Sequence, residues 1–471
     1  MKLVNKKNKK YTQIFQLFTE EKWKENSKNS NANISLVFSG KKNEIHLHTS
    51  DESLVFFIGL GKSDAANFEF QQVGQKFSQT QQEKIQAAAT QIISDDINEK
   101  QFEEFFKGLY LGTYAYNSDK SHVLWNEKTE IHFENFSQKK LDQIKENTNA
   151  ICEGQFTCME WLNKPANYKK TPVLSSFLKD LAKKYNLKYT SFNRKKCEEL
   201  GLEAYLAVNQ GSDQEAAFTI LEYKTKVKNA KTIGLIGKCV TFDTGGISIK
   251  GSDNMHYMKS DMGGATAVIG ALIYAAEKQI PVNIIAVLPI TDNAVSENAY
   301  LPSDVIKAYN GKTIEVLNTD AEGRMTLADA LSYVSKNYKT DVLIDLATLT
   351  GSSVRMFGDT CGAMFSNNEK LKDLLIKTGD RTNQRLWNLP LWDVWKDDFK
   401  SDVADVKNIS MKPIGDCIVA AKFLEEFIEN HQNWAHLDIA GVAFGNTGYS
   451  KEKAATGYGV QLLADLIENY H

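Results

Sequence analysis

The sequence predicts an α/β protein of two domains: a smaller N-terminal α/β domain over residues 1–150, and a larger C-terminal α/β domain over residues 151–471 with a central mixed sheet flanked by helices. Three observations predict it. The 471 residues exceed the roughly 100–200 of one domain. From about Lys231, apolar runs alternate with helical segments, the pattern of a parallel or mixed sheet covered on both faces. Acidic, glycine-containing motifs follow these runs, and the C-terminal ends of strands are where open α/β sheets bind ligands.

Taken in order, Asn33–Phe38 and Glu44–His48 read as short strands. Ser53–Leu60 (SLVFFIGL) is an apolar run entering a Gly61-Lys62 turn, which suits a buried strand. Gln81–Ile93 and Gln101–Tyr110 have helical spacing. His46 and His48 fall on one face of a strand, but no third ligand accompanies them, so they read as surface residues. Phe136–Leu162 reads as a helix ending at the loop NKPAN, and Thr171-Pro172 opens another with proline near its first turn. The domain boundary is expected in or just after the first of these two helices. Strands are then expected at Thr232–Ile236, Val282–Pro289, Thr313–Leu317 and Val342–Leu346, and helices at Gly263–Lys278, Ser303–Tyr309 and Thr326–Lys336.

The totals exclude several classes. Net charge is −3, so nothing global favours nucleic acid or an acidic membrane. No stretch approaches the roughly 18–20 apolar residues of a membrane span. The basic run Lys2 to Lys10 lacks the Arg and Ser bias of a transit peptide and any following apolar stretch. It reads as a solvated terminus, with weak polyanion contact as the alternative. The six cysteines are scattered without paired spacing and read as free thiols of a reducing, cytoplasmic compartment.

Chemistry concentrates in three segments. In GKCVTFDTGGISIK, a strand leads into Asp243, and Lys238 and Lys250 bracket it. A buried ammonium is costly unless paired. Beside cations it would lose its proton and become a metal ligand; kept charged, it would polarise a substrate carbonyl. KSDMGG sets Asp261 before a small-residue helix, where an N-cap is the ordinary reading. NTDAEGR brings Asp320 and Glu322 together before a helix, with Arg324 able to hold a small anion or to form a plain salt bridge. Four carboxylates meeting at one point need cations. Oxygen ligands without His or Cys suit Mg²⁺ or Mn²⁺, and a lysine nitrogen favours Zn²⁺. The residues therefore point to a paired-metal hydrolase, and leave open whether it cuts a phosphoester or an amide. No phosphate-cradling G-x-x-x-x-G-K-[ST] loop and no G-x-S-x-G nucleophile is present.

Together GKCVTFDTGGISIK, KSDMGG and NTDAEGRMTLADAL resemble the M17 family of leucine aminopeptidases, or cytosol aminopeptidases. DLATLTG (from Asp345), NKPAN, WAHLDIAG and ATGYGVQLL resemble further segments of its catalytic domain, and FIGLGK and GLYLGTYAY resemble its variable N-terminal domain. The resemblance implies a dinuclear-metal peptidase domain over residues 151–471. It implies a tight metal site of Lys238, Asp243, Asp261 and Glu322, and an exchangeable one of Asp243, Asp320 and Glu322. The ions would be Zn²⁺ or Mn²⁺, with Mg²⁺ or Co²⁺ as alternatives. Lys250 would bind the substrate carbonyl. Arg324 would hold a bicarbonate ion acting as general base toward a water between the metals. Met258, Thr348, Leu349, Gly351 and Ala455 would line the pocket for the first side chain. The expected activity is release of N-terminal leucine and other mainly apolar residues from peptides by a homohexamer, with membrane and nucleic acid absent from its partners.

Several positions depart from the family pattern. Thr244 stands where serine is also common, Gly251 replaces a frequent proline, and His256 replaces a frequent acid. Gly415-Asp416-Cys417 replaces a more usual Gly-Gly-Ser. None removes a metal ligand. The alternatives are a non-enzymatic structural or DNA-binding hexamer and a dipeptidase of the cysteinylglycine type.

Overall fold

The computed structural model describes residues 2–6, 11–27, 32–49, 52–85, 89–116, 129–412 and 414–470. The chain divides into two compact units, Met1–Cys152 with Gly448–Lys451, and Glu153–Thr447 with Glu452–His471. The helix Gln138–Asn163 carries the division point. Both units combine helices with a sheet, an α/β fold throughout.

The first unit has a six-stranded sheet. Its strands are β1 (Lys2–Val4), β2 (Gln13–Thr19), β3 (Ile45–Thr49), β4 (Leu54–Gly61), β5 (Thr90–Ile93) and β6 (Glu130–His132), in the order β1-β6-β5-β2-β4-β3. Only β3 runs antiparallel to its neighbour. The apolar run of β4 is buried beneath Phe70, Phe77, Phe102 and Phe105 of two helices, Asn67–Gln81 and Glu99–Leu111. The second of these begins with a capping box between Asn98 and Gln101. Two expectations fail here. Residues Ala32–Ser35 form a single helical turn, not the start of a strand: the amides of Val37 and Phe38 bond back to Ile34, and Phe38 packs on Trp23. Of the expected helix Gln81–Ile93, Gln81 ends a helix, residues 82–84 form a turn, residues 86–88 lie outside the described residues, and Thr90–Ile93 is strand β5, paired with β2. His46 and His48 lie on β3, where His46 sits beside Phe57. Residues 7–10 of the basic run lie outside the described residues.

The second unit is built on a nine-stranded mixed sheet. Its strands are β7 (Lys188–Phe192), β8 (Ala217–Tyr223), β9 (Thr232–Gly237), β10 (Cys239–Asp243) and β11 (Asn283–Asn293), then β14 (Val342–Ala347), β15 (Gly362–Ser366), β16 (Leu386–Asn388) and β18 (Trp434–Asp438). A separate three-stranded sheet joins β12 (Val305–Lys307), β13 (Thr313–Glu315) and β17 (Val406–Lys407). The central order is β18-β14-β9-β11-β8, with β10 extending beside β11. β9, β11 and β14 are parallel and almost wholly buried, as strands covered on both faces are. The small-residue helix Gly263–Lys278 matches its expected span and is buried through Ala275. The expected helix Ser303–Tyr309 is instead β12: Val305 and Ile306 pair with β13 in a hairpin closed at Gly311. All six cysteines are free, five of them buried. No helix among the described residues is long and apolar enough to cross a membrane.

Candidate metal centre

Strand register assembles the site. Gly237, the last residue of β9, pairs with Leu346 of β14, which sets Lys238 beside the loop that follows β14. Asp243 closes β10 opposite Asn293, the last residue of β11. The Asn293 side-chain amide donates to Asp243 Oδ1 at 2.9 Å, and the Gly245 amide donates to the same oxygen at 2.9 Å. Gly245 and Gly246 have φ of +88° and +64°, a left-handed pair that only glycine adopts without strain. That turn brings the chain back so that Lys250 Nζ lies 2.8 Å from Asp243 Oδ2 and also pairs with Asp320.

Lys238 Nζ sits 2.8 Å from Asp261 Oδ2 and 2.8 Å from Glu322 Oε1, and donates to the Thr348 carbonyl at 3.0 Å. Glu322 is the first residue of the helix Glu322–Asn337. Gly323 follows, and a Cβ there would stand 2.5 Å from Lys238 Cε and displace the lysine from its carboxylates. Asp261 is not an N-cap. Met262 holds that position, and Asp261 turns inward to accept from the Thr348 hydroxyl at 2.8 Å. Oxygens of Asp243, Asp320 and Glu322 all lie within 4.8 Å of one another, the only such ligand group among the described residues.

The electrostatics show what the cluster lacks. Burial disfavours the Lys238 ammonium, but Asp261, Glu322 and Asp243 outweigh it and hold its pKa above the usual range. Lys250 is held up in the same way, mainly by Asp243. Burial pushes the Asp261 carboxyl upward, and Lys238 offsets only part of this. Burial, then the Asp243 charge, pushes Asp320 up to about 6 despite Lys250. Four acids thus face two ammonium groups, a deficit of positive charge. Asp261 Oδ2, Asp320 Oδ1 and Glu322 Oε1 are buried and meet the lysines only at ion-pair range, without a hydrogen bond of good geometry. Carboxylates that outnumber the ammonium groups they meet, converging from different elements, fit hard divalent cations.

The other expected residues sit at varied distances from this centre. Thr348 touches it through both its hydroxyl and its carbonyl. Leu349 follows on the same loop, its amide held by Asp438 at 3.2 Å, and exposed Gly351 opens the next helix. Met258 lies half-buried in the 3₁₀ turn Met255–Ser260 just before Asp261. Ala455 is fully buried, and its amide donates to the Asn163 side chain, whose backbone carbonyl accepts from Lys259. Arg324 is buried, donates to the Asn408 carbonyl at 2.8 Å and faces Asp416 at 3.5 Å. Burial lowers its pKa, and Asp416 opposes the shift.

Sequence reading missed the supports. Asn293 and Asp438 end strands at this edge, which was the available signal. Lys169 carried none, since a lysine in a polar loop reads as surface. It is fully buried, and its ammonium donates to the carbonyls of Trp161, Leu162 and Lys259. It therefore ties the end of the helix Gln138–Asn163 to the turn that delivers Asp261.

Comparison with known proteins gives the family. The catalytic domain of the cytosol aminopeptidase family matches residues 156–464. The chain belongs to the cytosol aminopeptidase family. Curated relatives include the probable cytosol aminopeptidases of Chlorobaculum parvum, 44% identical over 76% of this chain and 73% of theirs, and of Rickettsia felis, 41% identical over 77% and 74%. Among solved structures, the bottromycin maturation enzyme BotP in complex with Mn is similar with a TM-score of 0.86 at 26% identity, covering 98% of this chain and all of that one. Family membership makes the chain a metal-dependent peptidase of the hydrolase class.

Proposed function

We propose that the protein is an exopeptidase that releases N-terminal amino acids, leucine and other mainly apolar residues, from peptides. The observation that carries this is the convergence of Asp243, Asp320 and Glu322, with Lys238 and Lys250 packed into the same acidic centre. Two divalent ions, Zn²⁺ or Mn²⁺ with Mg²⁺ or Co²⁺ as alternatives, would be held by Lys238, Asp243, Asp261 and Glu322 on one side and by Asp243, Asp320 and Glu322 on the other. When bound, such ions act as Lewis acids that polarise the scissile carbonyl and make water nucleophilic near neutral pH.

The chain's own residues do the rest. Glu322 and Asp243 are fixed by burial and by Asn293, so the centre is preorganised. Lys250, the more open of the two ammonium groups, donates to the substrate carbonyl and to the oxyanion that develops from it. Arg324 is the buried cation that would seat a general base, a place the family resemblance gives to bicarbonate. Met258, Thr348, Leu349, Gly351 and Ala455 form the surface that receives the first side chain. Assembly as a homohexamer in the cytoplasm completes the reading.

The test is hydrolysis of leucyl-p-nitroanilide after loading with Mn²⁺ or Zn²⁺, beside a chelator-stripped sample and an N-acetylated substrate. Turnover should require metal and a free amino terminus. Equal turnover of the acetylated substrate would refute the exopeptidase reading, and no turnover after loading would refute the activity.

A further inference from the structure

The structure puts the carboxylate of Asp416 against Arg324. The Arg324 guanidinium is 4% exposed, and its Nε is buried without a hydrogen-bond partner. Its Nη1 is satisfied by the Asn408 carbonyl, which is neutral. A buried cation of this kind requires an anion. Asp416 supplies one from the first turn of the helix Asp416–Glu425, with Oδ1 3.5 Å from Arg324 Nη2.

The carboxylate is held in that position by Ser352, which is itself held by the next backbone amide. Ser352 Oγ donates to Asp416 Oδ2 at 3.2 Å, and the Cys417 amide donates to Ser352 Oγ at 2.9 Å. Gly415, at φ +68°, ends the preceding loop and lets the helix start with Asp416 turned toward the arginine. The side chain is 45% exposed, so its outer face meets solvent while Oδ1 faces the guanidinium. A free oxyanion approaching Arg324 Nη2 would meet this negative charge, and like charges at such range repel.

We propose that Asp416 is the built-in anion of Arg324, filling with the chain's own carboxylate the anion seat that the family resemblance gives to bicarbonate. The inference rests on that reading of Arg324. Its consequence is a peptidase whose turnover does not depend on dissolved bicarbonate. The ordinary alternative is a first-turn carboxylate that merely complements the helix dipole. That role predicts an effect on stability and none on anion binding.

The experiment titrates bicarbonate, with formate as a second probe, into the Mn²⁺-loaded wild type, Asp416→Gly and Asp416→Asn, and reads binding by calorimetry. Removing the carboxylate should tighten oxyanion binding by about tenfold or more, the scale of one close charge–charge contact. Asp416→Asn keeps side-chain volume and guards against a folding defect in the glycine variant. In parallel, wild-type turnover in carbonate-free buffer should not rise when bicarbonate is added, whereas that of Asp416→Gly should. Equal oxyanion affinity in wild type and both variants would overturn the proposal, as would strong stimulation of the wild type by bicarbonate. A wild type without peptidase activity would refute the proposed function, while the calorimetry would still decide the role of Asp416.

Discussion

The two lysines divide the centre into halves of opposite character. Lys238 is 3% exposed, and its partners Asp261 and Glu322 are 9% and 1% exposed. Lys250 is 23% exposed and pairs with Asp320, which is 33% exposed. The same chemistry, an ammonium between carboxylates, is sealed in one half and open to solvent in the other. The sealed half is braced by Gly323, the Thr348 loop and the turn anchored by Lys169. The open half rests on a glycine turn and Asn293. On the proposed reading, the sealed side would hold a cation more tightly, and the open side would exchange one and meet substrate.

Breaking the element common to both halves should have the largest effect. Glu322→Ala removes an acid near both lysines and should lower peptidase kcat/KM by roughly 10³-fold or more, the several kcal/mol expected of metal-supported catalysis. Steady-state kinetics with metal in excess checks this. Lys250→Ala, on the open side alone, should lower kcat by about 10²-fold, as loss of one oxyanion donor does, with little change in bound metal by elemental analysis. Unchanged kcat would remove Lys250 from the chemistry. Asp261→Asn and Asp320→Asn sharpen the division between halves. After dialysis, Asp320→Asn should retain the slowly exchanging ion, and Asp261→Asn should lose it.

Smaller effects are expected further out. Lys169→Met leaves three buried carbonyls without their donor and should destabilise the fold by about 2 kcal/mol, read as a lower urea midpoint at unchanged slope. Because the lysine anchors the Asp261 turn, metal retention should fall on the sealed side first. Thr348→Val removes one hydrogen bond to Asp261 and should cost about 1 kcal/mol.

Much of the larger unit was legible because its signals are local and repeated. Gly263–Lys278 could be bounded to the residue, since its small apolar run is bracketed by Gly-Gly and a polar turn. Asp243, Asp320 and Glu322 were legible as a group because each lies close after an apolar run and near glycine, although β13, which precedes Asp320, belongs to the separate three-stranded sheet. The failures have a common physical cause. Gln81–Ile93 is rich in helix-favouring Gln, Glu, Lys and Ala, yet Thr90–Ile93 is claimed by pairing with β2, which no local pattern encodes. Val305–Lys307 is a strand for the same reason. Asp261 reads as a helix cap in isolation, and only the fold turns its carboxylate onto Lys238 and Thr348. Lys169 and Asp416 were illegible as parts of the site because their roles come from carbonyls and a guanidinium distant in sequence.

On the proposed reading, these two halves hold two cations. An anomalous-difference map from crystals of the Mn²⁺-loaded protein tests it most directly. Two peaks are predicted, one against Asp261 and one against Asp320, with Asp243 and Glu322 beside both. A single peak, or peaks away from these carboxylates, would contradict it.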